Sequence, residues 1–187
     1  MSELFRQHIE KIVPLTDQEF ALVSSFFVKK KLKKHQFLVQ AGELAPYDFW
    51  VEKGLLRAYL LEENGKEQIL QFAMEDWWIT DYQAHFSAQP ATLNVDCLED
   101  CQVLCISQED KDRLCAQLQK FEHFFRKKSN AGYVALQKRI LSLLTDQAHE
   151  RYQQFLSLYP SIIQRVPKKY IASYLGVSRE TLSRLSG

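Results

Sequence analysis

The apolar residues of this chain change their spacing twice, and that limits the fold more than any other feature. Residues 3–28 repeat at helical spacing through Leu4, Phe5, His8, Ile9 and Ile12, then Phe20, Leu22, Val23, Phe26 and Phe27. Pro14 separates the two stretches, and Thr16 with Glu19 reads as a capping box for the second helix. From about Lys31 to Ser107 short β-forming runs take over, at 37–39, 48–51, 55–61, 67–72 and 101–106. Asn64-Gly65 between two such runs is a strong hairpin signal. The segment 76–86 interrupts the strands and predicts a short helix. After Ser107 the pattern is helical again. Leu114, Leu118, Phe121 and Phe125 form one stripe, and Tyr133, Leu136, Ile140, Leu143 and Leu144 continue an apolar face. Gly132 inside it costs about 1 kcal/mol of helix propensity and leaves room for another helix to approach. A further helix over 150–156 is expected to close at Pro160. Short strands between helical flanks predict an α+β chain built on a small antiparallel barrel or jelly roll.

Composition removes several classes. With 46% hydrophobic residues, 6 Gly and 5 Pro in 187 residues, the chain buries a real core and is not disordered. No apolar run approaches the roughly 18–20 residues that span a bilayer. The N-terminus reads as neither a signal nor a transit peptide, so a cytoplasmic protein with no membrane partner is expected. The net charge of +1 hides an asymmetry. Residues 1–119 hold 12 Lys+Arg against 19 Asp+Glu, a net −7, and residues 120–187 hold 12 against 4, a net +8. An acidic body with a basic tail suits a chain whose one end meets nucleic acid.

Residues 168–185 fit a helix-turn-helix. Ile171, Leu175, Val177, Leu182 and Leu185 are the apolar contacts that set two short helices at a steep angle. Ala172 is small where the helices cross, and Gly176 occupies the turn, where positive φ costs glycine little. Ser178 is a good N-cap, and Pro167 begins the first helix, where its missing N–H is harmless. The exposed face of the second helix carries Arg179, Glu180, Ser183 and Arg184, side chains able to contact base edges. Lys168, Lys169, Ser178 and Thr181 are the candidate phosphate contacts on double-stranded DNA.

Together with Gly42-Glu43, the run Phe49 to Gly54 with Arg57, Asn64-Gly65-Lys66-Glu67 and Arg139-Ile140, the terminal stretch 178–184 carries a resemblance. The sequence resembles the cyclic-AMP receptor protein / fumarate–nitrate regulator family of bacterial transcription factors over nearly its whole length. The resemblance implies a cyclic-nucleotide-binding-type β-roll (a double-stranded β-helix or jelly roll) with N-terminal helices over 1–113. It further implies a dimerisation helix over 114–145 and a helix-turn-helix unit of winged-helix type over 146–187. In that arrangement Leu118, Phe121, Phe125, Gly132 and Leu136 face a second copy, and the partners are DNA, RNA polymerase and an unknown small-molecule effector. Two departures stand out. The Gly-Glu and Arg-Ser/Thr pairs that hold cyclic nucleotide read here Thr80-Asp81 and Ala91-Thr92, the candidate effector pocket. Ala91 cannot neutralise a phosphate, so cyclic AMP is disfavoured and no cofactor is expected. The chain also ends just after the recognition helix, so the wing is expected to be missing or truncated. The alternative is a sensing or interaction module of the same fold without productive DNA binding.

Other features carry less. Cys97, Cys101, Cys105 and Cys115 are mostly in strand patterns and read as small hydrophobes rather than metal or cluster ligands. The histidines are scattered without ligand spacing; no metal site, no catalytic residues and no enzymatic activity are expected, and His85 reads as a loop residue. The lysine run 29–34 reads as a solvated turn between helix and barrel. Trp77, Trp78 and Phe86 read as core more readily than as a ligand cavity.

Overall fold

A computed structural model describes residues 1–185. Helices α1 (Glu3–Glu10) and α2 (Asp17–Ser25) lead into strands β1 (Val28–Leu32), β2 (Phe37–Val39), β3 (Tyr47–Lys53), β4 (Leu56–Leu61), β5 (Glu67–Ala73) and β6 (Trp78–Ile79). Helix α3 (Tyr82–Ser87), strands β7 (Asn94–Cys97) and β8 (Cys101–Ser107), and helices α4 (Gln108–Gln117) and α5 (Lys120–Thr145) follow. Helices α6 (Ala148–Leu158), α7 (Pro160–Arg165), α8 (Lys168–Leu175) and α9 (Arg179–Leu185) complete the described chain. Among the described residues no helix is long and apolar enough to cross a membrane.

The strands form two antiparallel four-stranded sheets, ordered β1-β8-β3-β6 and β2-β7-β4-β5. Alternate residues point to opposite faces, yet Asp48, Phe49, Trp50 and Val51 are all buried, because the sheet is covered on both sides. Phe49 and Val51 face the interior of the roll with Leu56, Val95 and Val103. Trp50 and Leu104 face outward into a second cluster with Phe5, Ile9, Val23, Leu114, Phe121 and Phe124. On the other sheet Leu55, Tyr59, Ile69 and Phe72 pack against Phe155, Ile162, Ile171, Ala172, Leu175 and Leu182 of the C-terminal helices. Local signals set several joints. Thr16 and Glu19 close their capping box, and the β4–β5 hairpin turns at Gly65 with φ +81°.

Several expectations are corrected. Most of the lysine run is not a turn: Val28–Leu32 is an edge strand, paired among the described residues only with β8, and lysines on an open edge discourage a second chain from adding there. Strand β7 carries no β-forming pattern because Asn94 and Asp96 are buried polar residues whose partners lie elsewhere in the chain, Ala41 N and Arg57. The segment 76–86 divides into β6 and α3, and His85 lies buried in that helix rather than in a loop. The helix expected over 114–145 is broken at Leu118, whose backbone leaves the helical region at φ −137° and ψ 81°. The break lets Leu114 and Phe121 bury in one cluster. Helix α6 closes at Leu158, just before Pro160 as expected, and Pro160 also opens α7, since proline is tolerated in a first turn.

Candidate nucleic-acid interface and the sensor that carries it

Helices α8 and α9 are locked locally. Gly176 takes φ +68°, and Val177 N donates to Ala172 O at 3.0 Å, ending α8 in a left-handed turn. Ser178 Oγ accepts from Thr181 N at 3.1 Å and lies 3.1 Å from Thr181 Oγ, so both hydroxyls are engaged in capping. Ile171, Ala172, Leu175 and Leu182 are buried between the helices and the sheet, leaving Arg179, Glu180, Ser183 and Arg184 exposed. Hydrogen bonding from its own amide and from Ser178 holds the Glu180 carboxyl below its ordinary range, so it stays an acceptor. Lys168 and Lys169 are exposed at the start of α8, with Lys169 Nζ 4.6 Å from the Tyr170 ring centroid.

The basic tail is less free than its charge implies. Arg165 reaches back to the β-roll, bonding Glu75 at 3.0 and 3.1 Å and Glu99 at 2.6 and 3.3 Å. Arg151 donates to Leu175 O at 2.9 Å and Asp146 O at 2.6 Å, serving open carbonyls at the end of α8 and just after α5. Arg139 lies with its guanidinium 3.5 Å from the Tyr174 ring centroid and bonds Tyr174 O; burial pulls its pKa down. Arg57, on β4, is 4% exposed and donates to Asp96 at 2.7 and 2.9 Å and to Glu67 at 2.7 and 3.1 Å. Burial opposes its charge, but the two carboxylates more than compensate and raise its pKa. The internal roles of Arg139, Arg151 and Arg165 were missed in sequence. Arg57 and Arg139 figured only in the resemblance, and nothing in their spacing names their distant partners.

Of the four candidate pocket residues, Asp81 and Thr92 bond each other, while Thr80 and Ala91 are satisfied by other parts of the roll. Asp81 is 1% exposed and accepts from Ala84 N, Thr92 N, Leu93 N and Thr92 Oγ at 3.1, 2.8, 2.9 and 3.2 Å. Burial alone would raise its pKa; the amides of Leu93, Ala84 and Thr92 bring it below the usual value. Thr80 Oγ donates to Tyr47 O at 2.8 Å. Ala91 is buried, with its N donating to Glu43 O and its O accepting from Gly42 N. Trp77 and Trp78 pack into the core clusters, whereas Phe86 is 61% exposed. Among the described residues no group of three or more His, Cys, Asp or Glu is placed to hold a metal.

The dimerisation residues divide into two groups. Phe121 is fully buried within the single chain, and Leu118 and Phe125, partly buried, pack on the same cluster, so the start of α5 spends much of its apolar face on the protomer's own core. The reason is the break at Leu118, which turns the start of α5 into the protomer. Gly132 and Leu136 are exposed, as are Tyr133, Val134, Ile140, Leu141, Leu143 and Leu144. A Cβ at Gly132 would meet nothing within 4 Å in the single chain.

Comparison with known proteins adds to this geometry. The profile of the cyclic nucleotide-binding domain family matches residues 29–118. The anaerobic regulatory protein of Haemophilus influenzae is 25% identical over 192 residues, covering 92% of this chain and 71% of that protein. The fumarate and nitrate reduction regulatory protein of Vibrio cholerae is 28% identical over 170 residues, covering 85% and 67%. Among solved structures, FixK2 from Bradyrhizobium japonicum superposes with a TM-score of 0.73 at 19% identity, covering 86% of this chain and 82% of that one. The catabolite activator protein of Thermus thermophilus gives 0.57 at 20% identity, covering 99% and 85%.

Proposed function

This chain belongs to the cyclic-AMP receptor protein / fumarate–nitrate regulator family of bacterial transcription regulators, and from that premise we propose a homodimeric regulator that reads a two-fold DNA site. The observation that carries this reading is the exposed row Arg179, Glu180, Ser183 and Arg184 on a helix seated by Leu182. Arginine pairs with guanine O6 and N7, and glutamate accepts from cytosine N4. Lys168 and Lys169 contact phosphates beside the groove, with Ser178 and Thr181 near the backbone. The exposed apolar stripe through Leu136, Ile140 and Leu144 takes a second copy, which sets two recognition helices about 34 Å apart. The protein acts in the cytoplasm, with RNA polymerase as a further partner and no enzymatic step of its own.

Its effector is a small molecule other than a cyclic nucleotide. A cyclic phosphate entering beside Ala91 meets a methyl group, and the Asp81 oxygens are already occupied. Burying an unpaired phosphate costs several kcal/mol, more than the rest of such a ligand readily offsets. Titration calorimetry with cyclic AMP and cyclic GMP is expected to give no saturable heat. Micromolar binding of either would overturn this account of the sensor.

The DNA reading is tested by selecting bound duplexes from a random pool. The expected product is a pseudo-palindrome, bound with a steep salt dependence. Arg184→Ala should then cost about 1–3 kcal/mol and relax preference at one base position, whereas Lys169→Ala should weaken all sequences alike. Equal losses for Arg184→Ala on selected and random DNA would contradict the base-reading role. If the protein enriches no sequence and ignores random duplex at low salt, a sensing module without DNA binding is what remains.

A further inference from the structure

Strand β5 is the outer strand of its sheet, so its outward backbone groups need partners from outside the sheet. The DNA-reading unit and α5 supply them. Ser173 Oγ on α8 accepts from Ile69 N at 2.9 Å and donates to Glu67 O at 2.6 Å. Arg139 on α5 donates to Leu70 O at 3.2 Å and to Ile69 O at 3.4 Å. Beside this seam the Arg57 guanidinium lies between two rings, 4.1 Å from the centroid of Tyr59 and 4.1 Å from that of Tyr170 on α8. Its N–H edge is occupied by Asp96 and Glu67, so its flat faces are what it offers a neighbour.

We propose that Arg57 and the β5 edge form a platform that positions the recognition helix directly from the sensor, with Tyr170 and Ser173 as the reader's side of the clamp. The proposal deepens the DNA-binding reading and rests on it for its consequence. The docked face of α8 is the one carrying Tyr170, Ser173 and Tyr174, while Arg179, Glu180, Ser183 and Arg184 stay exposed. Docking therefore aligns the reading surface without covering it. Stacking on a guanidinium whose in-plane donors are engaged restricts tilt, and two hydrogen bonds to consecutive edge positions restrict sliding. A displacement of the β4–β5 hairpin would reach α9 through α8 without first passing along α5.

The test uses Tyr170→Leu, which leaves the sensor's Arg57, Asp96 and Glu67 intact and keeps Ser173. In hydrogen–deuterium exchange on the protein alone, residues 67–73 should exchange about tenfold faster, with α6, α9, β3 and β8 unchanged. Arg57→Lys, which keeps a charge for the carboxylates but removes the flat face, should give the same local increase. No change at 67–73, or an increase spread through the whole reader, overturns the clamp. On a selected duplex with two half-sites, Tyr170→Leu should bind about tenfold more weakly, but a single half-site should be held within about twofold. Equal losses on both would show that the contact does not set helix placement. A wild-type protein that selects no DNA would remove the regulatory reading, while the exchange result still decides whether this clamp holds the reader.

Discussion

Replacing Arg57 with methionine is expected to lower folding stability by about 3–5 kcal/mol, the usual cost of leaving a buried charge without its partner. Two effects compete. Methionine fills much the same volume and stacks acceptably between Tyr59 and Tyr170, so the packing loss is small. The decisive loss is electrostatic. Asp96, 4% exposed, keeps no cation, and Glu67 loses both of its bonds to the guanidinium. For a chain of this size the midpoint of thermal unfolding should fall by roughly 6–20 °C, read by circular dichroism at neutral pH. Adding Asp96→Asn and Glu67→Gln to the same protein should recover part of the loss, because the orphaned charges are removed. A single substitution that shifts the midpoint by under about 2 °C would mean that water already reaches the pair.

The second large effect is expected at Leu136. Leu136→Glu should convert the proposed dimer to monomer and weaken binding to a two-half-site duplex by about 100-fold or more, because the linked second contact is lost. Leu136 is 49% exposed in the single chain, so the substitution leaves the protomer's own core untouched. In the paired state two glutamates would face each other across an apolar seam, adding repulsion and desolvation to the lost burial. Sedimentation velocity gives the mass, and far-ultraviolet circular dichroism checks that the helix remains. A variant that stays dimeric with full DNA affinity would place the intersubunit contact elsewhere. Phe121→Glu makes a useful contrast: it should destabilise the protomer itself, since Phe121 is fully buried there.

What was legible in the sequence depended on how far each residue's partner lay along the chain. The capping box at Thr16 and Glu19, the turn at Gly65 and the left-handed residue at Gly176 are read within four residues and occur as expected. The exposed row on α9 is legible for the same reason, since a short helix with an N-cap has only one face to bury. Misreadings arose where a local pattern answered to something distant. The lysines of β1 look like a solvated turn because an edge strand needs no apolar alternation. Strand β7 is absent from the expected runs because its polar residues Asn94 and Asp96 are buried against distant partners, Ala41 and Arg57. The +8 charge of residues 120–187 overstated the surface available to DNA, since Arg139, Arg151 and Arg165 are held by carbonyls and carboxylates within the subunit.

By itself the amino-acid order determined the succession of helix, roll and helix, the joints between neighbours, and the two-helix reader with its polar outer face. Those follow from backbone preferences and hydrophobic period, which act over a few residues. The tertiary structure decided which half of the apolar stripe is core and which is open, where the helix breaks, and that the reader sits on the edge of β5. It also decided that Asp81 is satisfied by the amides around it. Each of these depends on groups brought together from far apart in the chain, and a burial or a hydrogen bond between such groups exists only once the fold has closed around them.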